Sequence, residues 1–326
     1  MATYKAIKGV TIQDLSSDPS PLISGDVWYN STAEAIKAAP AGAWGSGGNL
    51  PSAQLGMGGG GTRDAAWVAS GQDTPGSSPT ATYHYNGTAW TNQSAAIANT
   101  NSTYLGSTGT QAAAVIAGGT PPGAGAGEWG GSSWTSITAM PTDRESVAGF
   151  GTATTATMCG GTTFPTVDSA VVESWNGTSW SPGTSMPAAK LASSGGCGLE
   201  TTGLIVGGAQ HPAIFLDTVN EYNGTSWAAG GTYPTATLGS GTAGSSSAAL
   251  SFGGNTTPGR TTATNQYDGA VWTTISGVLT TARNSGGSSK NGTTGSALMF
   301  GGTTGSNSNA TEEFALATSA VTFTAS

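Results

Sequence analysis

Short apolar runs recur along the chain, each closed by glycine: WVASG, VIAGG, TMCGG, LIVGG, LSFGG and LMFGG. Stretches rich in Gly, Ser, Ala and Thr separate them and carry no helical periodicity. Brief apolar runs bounded by turn residues predict short buried strands. The closing glycines, Gly71, Gly119, Gly161, Gly208, Gly254 and Gly302, follow one another at 42 to 48 residues. A second landmark keeps the same period and phase: Trp44, Trp90, Trp134, Trp180, Trp227 and Trp272 recur at 44 to 47 residues. Two landmarks with one period predict six structural repeats.

Each repeat reads in the same order. A proline-containing turn often comes first (LPSAQ, MPTDR, MPAAK, YPTAT), then a strand of small residues such as ASSGGCG or GSGTAGSS. The apolar strand ending in Gly-Gly follows, then a variable loop and an aromatic phrase: HYNGTAW, SWNGTSW, EYNGTSW or QYDGAVW. Asn-Gly and Asp-Gly suit the positive φ angles of a two-residue hairpin turn, so the phrase is expected to join two antiparallel strands. Four short strands in about 45 residues form the unit expected of a β-propeller blade. Gly, Ala and Ser fit innermost strands crowded around an axis, and Tyr and Trp fill the widening gaps between twisted blades. One such unit cannot bury both of its faces, whereas a ring of six can. The stretch STAEAIKAAP (31–40) is the single helix candidate, stopped by Pro40.

A glycine pair after an apolar strand, then an aromatic, then a Trp at this spacing resembles the kelch repeat, over roughly residues 45–326. The resemblance implies an all-β, six-bladed kelch-like β-propeller preceded by an extended N-terminal arm. Gly-Gly is intact at 118–119, 160–161, 207–208, 253–254 and 301–302, and the first repeat departs with Ser70-Gly71. In the last repeat, EEFALATSAVTF, Phe314 and Phe323 are candidates to replace the aromatic and the Trp. Trp44 belongs either to a strand that closes the ring or to the exit from the arm.

Residues 1–44 do not share the repeat apart from Trp44, and SSDPSP reads as an extended linker. Within them, GDVWYNSTAEAIK resembles a short segment near the N-termini of structural proteins of tailed phages, particularly marine ones. Val27, Trp28 and Tyr29 stand at its centre, and AEAIK replaces the glycine-containing turn frequent in that family. The resemblance implies an anchoring arm that binds other virion proteins and precedes an outward-facing module. The plainer reading is an ordinary strand that leads into the propeller.

A net charge of −8 and nine scattered basic residues disfavour nucleic acid, whose phosphates need Lys and Arg. No apolar run is long enough to insert in a membrane. The N-terminus lacks the apolar core of a signal peptide, so the general export route is not expected. Cys159 and Cys197, the two cysteines, are expected as small buried thiols, with a disulfide between neighbouring repeats left open.

Chemistry finds little footing. The two histidines, His84 and His211, fall in different repeats, which leaves no metal cluster, and no cofactor is implied. The acidic residues Asp143, Glu145, Asp168, Glu173, Glu200, Asp217, Glu221, Asp268, Glu312 and Glu313 fall on loops or outer strands without a facing pair. No nucleophile elbow is present. The Asn-Gly-Thr phrases at Asn86, Asn176 and Asn223 match glycosylation acceptors, but turn chemistry explains their placement. Aligning the starts of the small-residue strands puts Gln54, Asn101, Arg144, Lys190, Thr237 and Arg283 in one register. They either form a polar ligand ring for a sugar or an anion, or bond to nearby turns and neighbouring carbonyls. The second is favoured, because half the set is neutral and no aromatic platform accompanies it.

The expected protein is a non-enzymatic phage virion component: a tail fibre, knob or capsid decoration, present in many copies or as a homo-oligomer. Its propeller would adhere to a host-surface glycan or protein. A lectin-like bacterial surface or secreted adhesion module is the alternative, and a glycan-active hydrolase the third reading.

Overall fold

The structure is a computed structural model and describes residues 12–19, 27–39, 41–73, 76–77, 79–96, 103–121, 123–192, 195–316 and 320–323. Among these residues every regular element is a strand, so the protein is all-β. Six antiparallel sheets follow one another, each with four main strands. The first comprises Gly58–Thr62, Ala65–Ala69, Ala81–Tyr85 and Trp90–Ala96. The second comprises Gly106–Gly109, Ala114–Ala117, Ala126–Trp129 and Trp134–Ile137. Ala148–Gly151, Ala156–Cys159, Val172–Trp175 and Trp180–Pro182 make the third. The fourth has Gly196–Cys197, Gly203–Val206, Ile214–Tyr222 and Trp227–Thr237, with the short Ala209–Gln210 beside it. In the fifth are Gly241–Ser245, Ala248–Phe252, Thr264–Tyr267 and Trp272–Ile275.

The sixth sheet draws on both ends of the chain. Gly287–Ser288, Ser296–Phe300 and Thr311–Ala315 are completed by Ala43–Ser46, which sets Trp44 opposite Phe314. Trp44 therefore supplies the tryptophan of the last repeat. Phe323 does not: Val321–Phe323 pairs instead with Ala35–Ala38. The last repeat carries no Trp of its own, and the N-terminal strand fills the vacant edge.

The expected two-residue turn also needs correction. Tyr85 pairs with Trp90, Tyr222 with Trp227 and Tyr267 with Trp272, which leaves four residues in each loop. Positive φ is confined to the glycines, Gly87, Gly177, Gly224 and Gly269. The preceding Asn or Asp caps the loop with its side chain: Asn223 Oδ1 accepts the N–H groups of Thr225 and Ser226 at 3.0 and 2.8 Å. Asn86, Asn176 and Asp268 do the same. An Asx cap satisfies two backbone donors and removes the need for a left-handed Asn.

The glycine pairs mark where consecutive sheets touch. Gly119, Gly161, Gly208, Gly254 and Gly302 donate their N–H groups to the carbonyls of Arg144, Lys190, Thr237, Arg283 and Gln54, at 2.8–2.9 Å. The acceptor stands just ahead of the next sheet in sequence, although Thr237 also ends the last strand of the fourth, and the sixth sheet's Gly302 reaches Gln54 ahead of the first. The preceding glycines, Gly118, Gly160, Gly207, Gly253 and Gly301, have φ of 62–73°. A Cβ on any of them would lie 2.4–2.8 Å from the same carbonyl oxygens. Ser70, in the first repeat, also adopts positive φ at 61°.

At the opposite edge of each sheet, the tryptophan that opens the fourth strand donates its indole N–H to the preceding sheet. Trp134 bonds Thr82 Oγ1, Trp180 the Thr138 carbonyl, Trp227 the Thr184 carbonyl, and Trp272 the Gly230 carbonyl, at 2.7–3.2 Å. Trp44 bonds Thr264 of the fifth sheet, and Trp90 of the first sheet bonds Thr311 of the sixth. Each of these indoles packs against the aromatic on the neighbouring strand, with centroids 4.7–5.6 Å apart. The core is correspondingly divided into six clusters, each shared by two sheets. Phe300 and Leu298 of the sixth sheet, for example, pack with Tyr85 and Trp90 of the first.

The described residues of the N-terminal segment form a separate small sheet in place of the expected extended arm. Gln13–Leu15 lies parallel to Val27–Asn30, which pairs antiparallel with Ala35–Ala38 and through it with Val321–Phe323. The helix expected over 31–40 does not form. Asn30 Oδ1 accepts the Ala33 N–H at 2.8 Å and Glu34 takes φ of 48°, which turns the chain into a strand paired on both edges. Pro40 lies outside the described residues.

The glycine contacts make a test. Gly207→Ala should cost about 2–4 kcal/mol, because a left-handed backbone and a carbonyl collision combine. Gly130→Ala, with nothing within 4 Å of its Cβ position, should leave the urea unfolding midpoint unchanged.

Candidate functional site

The register of Gln54, Arg144, Lys190, Thr237 and Arg283 is structural, and the polar ligand ring is not formed. Asn101 lies outside the described residues. The other five are buried, so no ligand reaches them. Their carbonyls receive the glycine N–H groups already described, and three of their side chains turn back into their own sheets. Arg144 donates to the carbonyls of Gly160 and Val171 at 2.6 and 2.8 Å and to Glu173 at 2.7 Å. Arg283 bonds the Ala310 carbonyl at 2.7 Å and Glu312 at 2.9 Å. Lys190 reaches the Gly207 carbonyl at 2.9 Å. One residue thus ties two successive glycine pairs, the first through its backbone and the second through its side chain. Carbonyls, with a carboxylate for each arginine, offset the cost of burying these charges, while Nε of Arg144 and of Arg283 has no hydrogen-bond partner.

Where the first strands converge, a further basic residue closes the space. Lys290, from the sixth sheet, donates to the carbonyl and hydroxyl of Ser107 in the second sheet at 2.9 and 3.0 Å. The Ser107 hydroxyl in turn bonds the Gly59 carbonyl of the first sheet at 2.9 Å. A Cβ on Gly149 of the third sheet would meet the Ser107 backbone at 2.7 Å. Small residues are required here because four sheets meet around one serine. Sequence reasoning missed Lys290, whose partner is 183 residues away. The position has no counterpart in the other repeats, and that departure was its one visible signal.

The remaining candidates for chemistry are occupied as well. Cys159 and Cys197 are free, buried thiols that burial pushes up to about 12. His84 stacks edge-on against Trp129, and burial lowers its pKa. His211 joins Asp168 through Nδ1 at 2.5 Å and through its backbone N–H at 2.8 Å. Glu221 accepts the Tyr267 hydroxyl at 2.6 Å, and Glu313 accepts that of Tyr85, whose pKa burial and this carboxylate push up to about 12. Among the described residues no group of three His, Cys, Asp or Glu could hold a metal. An open groove of about 440 Å³ follows the outer strand Ala43–Ser46 past Trp44, Glu313 and Leu316, where the chain leaves for the small sheet.

That small sheet has its own polar centre, which the sequence did not reveal. Asp18 accepts hydrogen bonds from Trp28 Nε1 at 3.2 Å, Asn30 Nδ2 at 2.7 Å and Lys37 Nζ at 2.8 Å. The Lys37 ammonium, then Asn30, hold the Asp18 carboxyl below the usual carboxylate range. Trp28 is buried on this side. Strand alternation puts Val27, Tyr29, Ile36, Ala38, Val321 and Phe323 on the other. Of these, Val27, Val321 and Phe323 are exposed. No family model and no curated protein matches this chain.

The buried lysines give a pH signature. Burial lowers Lys190 and Lys290 to about 8, against about 10.4 in an unfolded chain. Between those values the unfolded chain holds more protons, so stability rises with pH. The two thiols act in the opposite sense above about pH 8.5, where they ionise only when unfolded. Unfolding free energy should rise by about 1 kcal/mol between pH 7 and 9 and fall at higher pH. Lys290→Met should flatten the rise in urea titrations at several pH values.

Proposed function

We propose that this chain is a non-enzymatic structural protein of a tailed-phage virion: a fibre, knob or capsid decoration that displays a six-bladed, kelch-like β-propeller. The small N-terminal sheet anchors it to other virion proteins. The observation that carries this reading is the division of labour between the two parts. In the small sheet, Val27 of the segment that resembles phage structural proteins and Val321 and Phe323 of the strand paired through it are exposed on one face, while Trp28 is locked by Asp18 on the other. An amphipathic sheet of this size is marginal alone and gains stability by covering its apolar face.

In the six larger sheets, by contrast, the buried charged side chains bond within the body, Arg144, Lys190 and Arg283 to their own sheets and Lys290 to Ser107. The propeller reading draws support from two sets of contacts, the glycine N–H bonds and the indole bonds, each of which returns from the sixth sheet to the first. The sixth sheet's completion by Ala43–Ser46 supports it too, since a strand from one terminus closing the last blade leaves no open sheet. Such a body suits rigid display, with recognition left to the loops.

A mass-spectrometric inventory of purified particles tests the assignment: the chain should be present in many copies, and its absence would sink the reading. Asp18→Ala should lower its incorporation into particles while the urea unfolding midpoint of the six-sheet body stays unchanged. Equal incorporation of the variant would remove the anchoring role from the small sheet.

A further inference from the structure

The third and fourth sheets each extend a short hairpin beyond the glycine pair, and these two hairpins carry three exposed apolar side chains, among them Phe164, the most exposed large hydrophobic among the described residues. In the first hairpin Thr162–Thr163 pairs with Val167–Asp168, and in the second Ala209–Gln210 pairs with the start of Ile214–Tyr222. At their tips Phe164 is 82% exposed, Val167 59% and Ile214 57%. The hairpins are fastened together: Asp168 of the first takes both the Nδ1 and the backbone N–H of His211 in the second. Gln210 is anchored in turn by the Ala189 carbonyl at 2.9 Å. Phe164 and Ile214 therefore stand on a braced platform rather than on independent loops. A rigid, exposed aromatic loses little conformational entropy on binding and has the character of an interface anchor.

The surrounding charge is of one sign. Asp143 and Asp217 are exposed nearby, and Glu145 adjoins through its backbone pairing with Thr162. The basic residues of this region, Arg144 and Lys190, are buried and turned inward. His211 is paired with Asp168. Carboxylates around apolar tips repel an anionic lipid or phosphorylated glycan surface and favour a cationic one. A second copy of this chain is a poor occupant. Among the described residues its basic groups are buried, or paired as Lys37 is with Asp18 and Arg63 with Asp64, with Arg260 the exposed exception.

We infer that the paired hairpin tips form a docking site for a protein whose surface offers an apolar pocket rimmed by Lys and Arg. Phe164 and Ile214 enter the pocket, and Asp143, Glu145 and Asp217 meet the rim. The inference rests on the adhesive reading for its biological setting, and it names a protein rather than an anionic glycolipid as the surface bound.

The test uses the full chain and a defined probe, an immobilised amphipathic peptide of alternating Lys and Leu, with its Glu/Leu counterpart and phosphatidylglycerol vesicles as comparisons. The wild type should bind the Lys/Leu peptide and neither of the others. The double variant Phe164→Ser/Ile214→Ser, which leaves the net charge unchanged, should bind at least ten-fold more weakly. Asp143→Lys/Asp217→Lys should weaken binding and reduce its salt dependence. These side chains are exposed, and circular dichroism would verify that the variants keep the fold. Absence of wild-type binding, full affinity in the tip variant, or binding of phosphatidylglycerol vesicles through the tips would each overturn the proposal. None of these outcomes bears on whether the chain is present in virions, which the particle inventory decides separately.

Discussion

Where one sheet follows another, a glycine lies so close to the next carbonyl that no β-carbon fits between them. A Cβ added to Gly118 would lie 2.6 Å from the Arg144 oxygen ahead of the third sheet, and its counterparts repeat the contact. The neighbouring glycine bonds the same oxygen, so a single carbonyl fixes both the distance and the angle between sheets. Everything further out adapts to that contact. First strands at such separation have room for Gly, Ser, Ala and Thr, and Lys290 threads between them because its stem is narrow and its ammonium finds the Ser107 oxygens.

Sheets held this tightly at one edge diverge at the other, since every strand twists relative to its neighbour. The widening gap is filled by pairs such as Tyr222–Trp227, and each indole N–H reaches back to the sheet before it. An aromatic pair of this kind adds about 0.5–1.5 kcal/mol beyond the area it buries. The protein consequently has six thin cores in place of one thick one. Any two neighbouring sheets share a cluster, and no sheet buries both faces by itself.

Much of this was legible in the sequence because it repeats. Gly-Gly and the aromatic–Trp phrase are short-range patterns, and a period shared by both identifies the strands that hold them. The register of Arg144, Lys190 and Arg283 was legible too, and bonds to nearby carbonyls were the favoured reading over a ligand ring, but alignment places a residue on a strand without saying which carbonyls its side chain meets. The failures fall where a long-range partner decided the outcome. Residues 31–38 have helix-compatible composition and became a turn and strand because Val27–Asn30 and Val321–Phe323 pair along both edges. Phe323 was misassigned because Ala43–Ser46, from the far end of the chain, had already taken the last position in the sixth sheet. Asp18 gave no signal, since an isolated acid in a polar stretch looks the same whether solvated or at the centre of three donors.

The two ends of the described chain are stitched together twice, and this bears on how force passes between the small sheet and the six-sheet body. Ala43–Ser46 joins Thr311–Ala315 in the sixth sheet, and Ala35–Ala38 joins Val321–Phe323 in the small sheet. A pull on the small sheet therefore enters the six-sheet body through both termini, on adjacent strands of one sheet. With a single connection the same pull would fall on Ala43–Ser46 alone, and that strand is held by one neighbour. With two, peeling it away also requires separating Ala35–Ala38 from Val321–Phe323. The arrangement couples the integrity of the six-sheet body to that of the small sheet. It also explains why the repeat is irregular at the chain ends: the last sheet gives up its own fourth strand so that both termini leave it side by side.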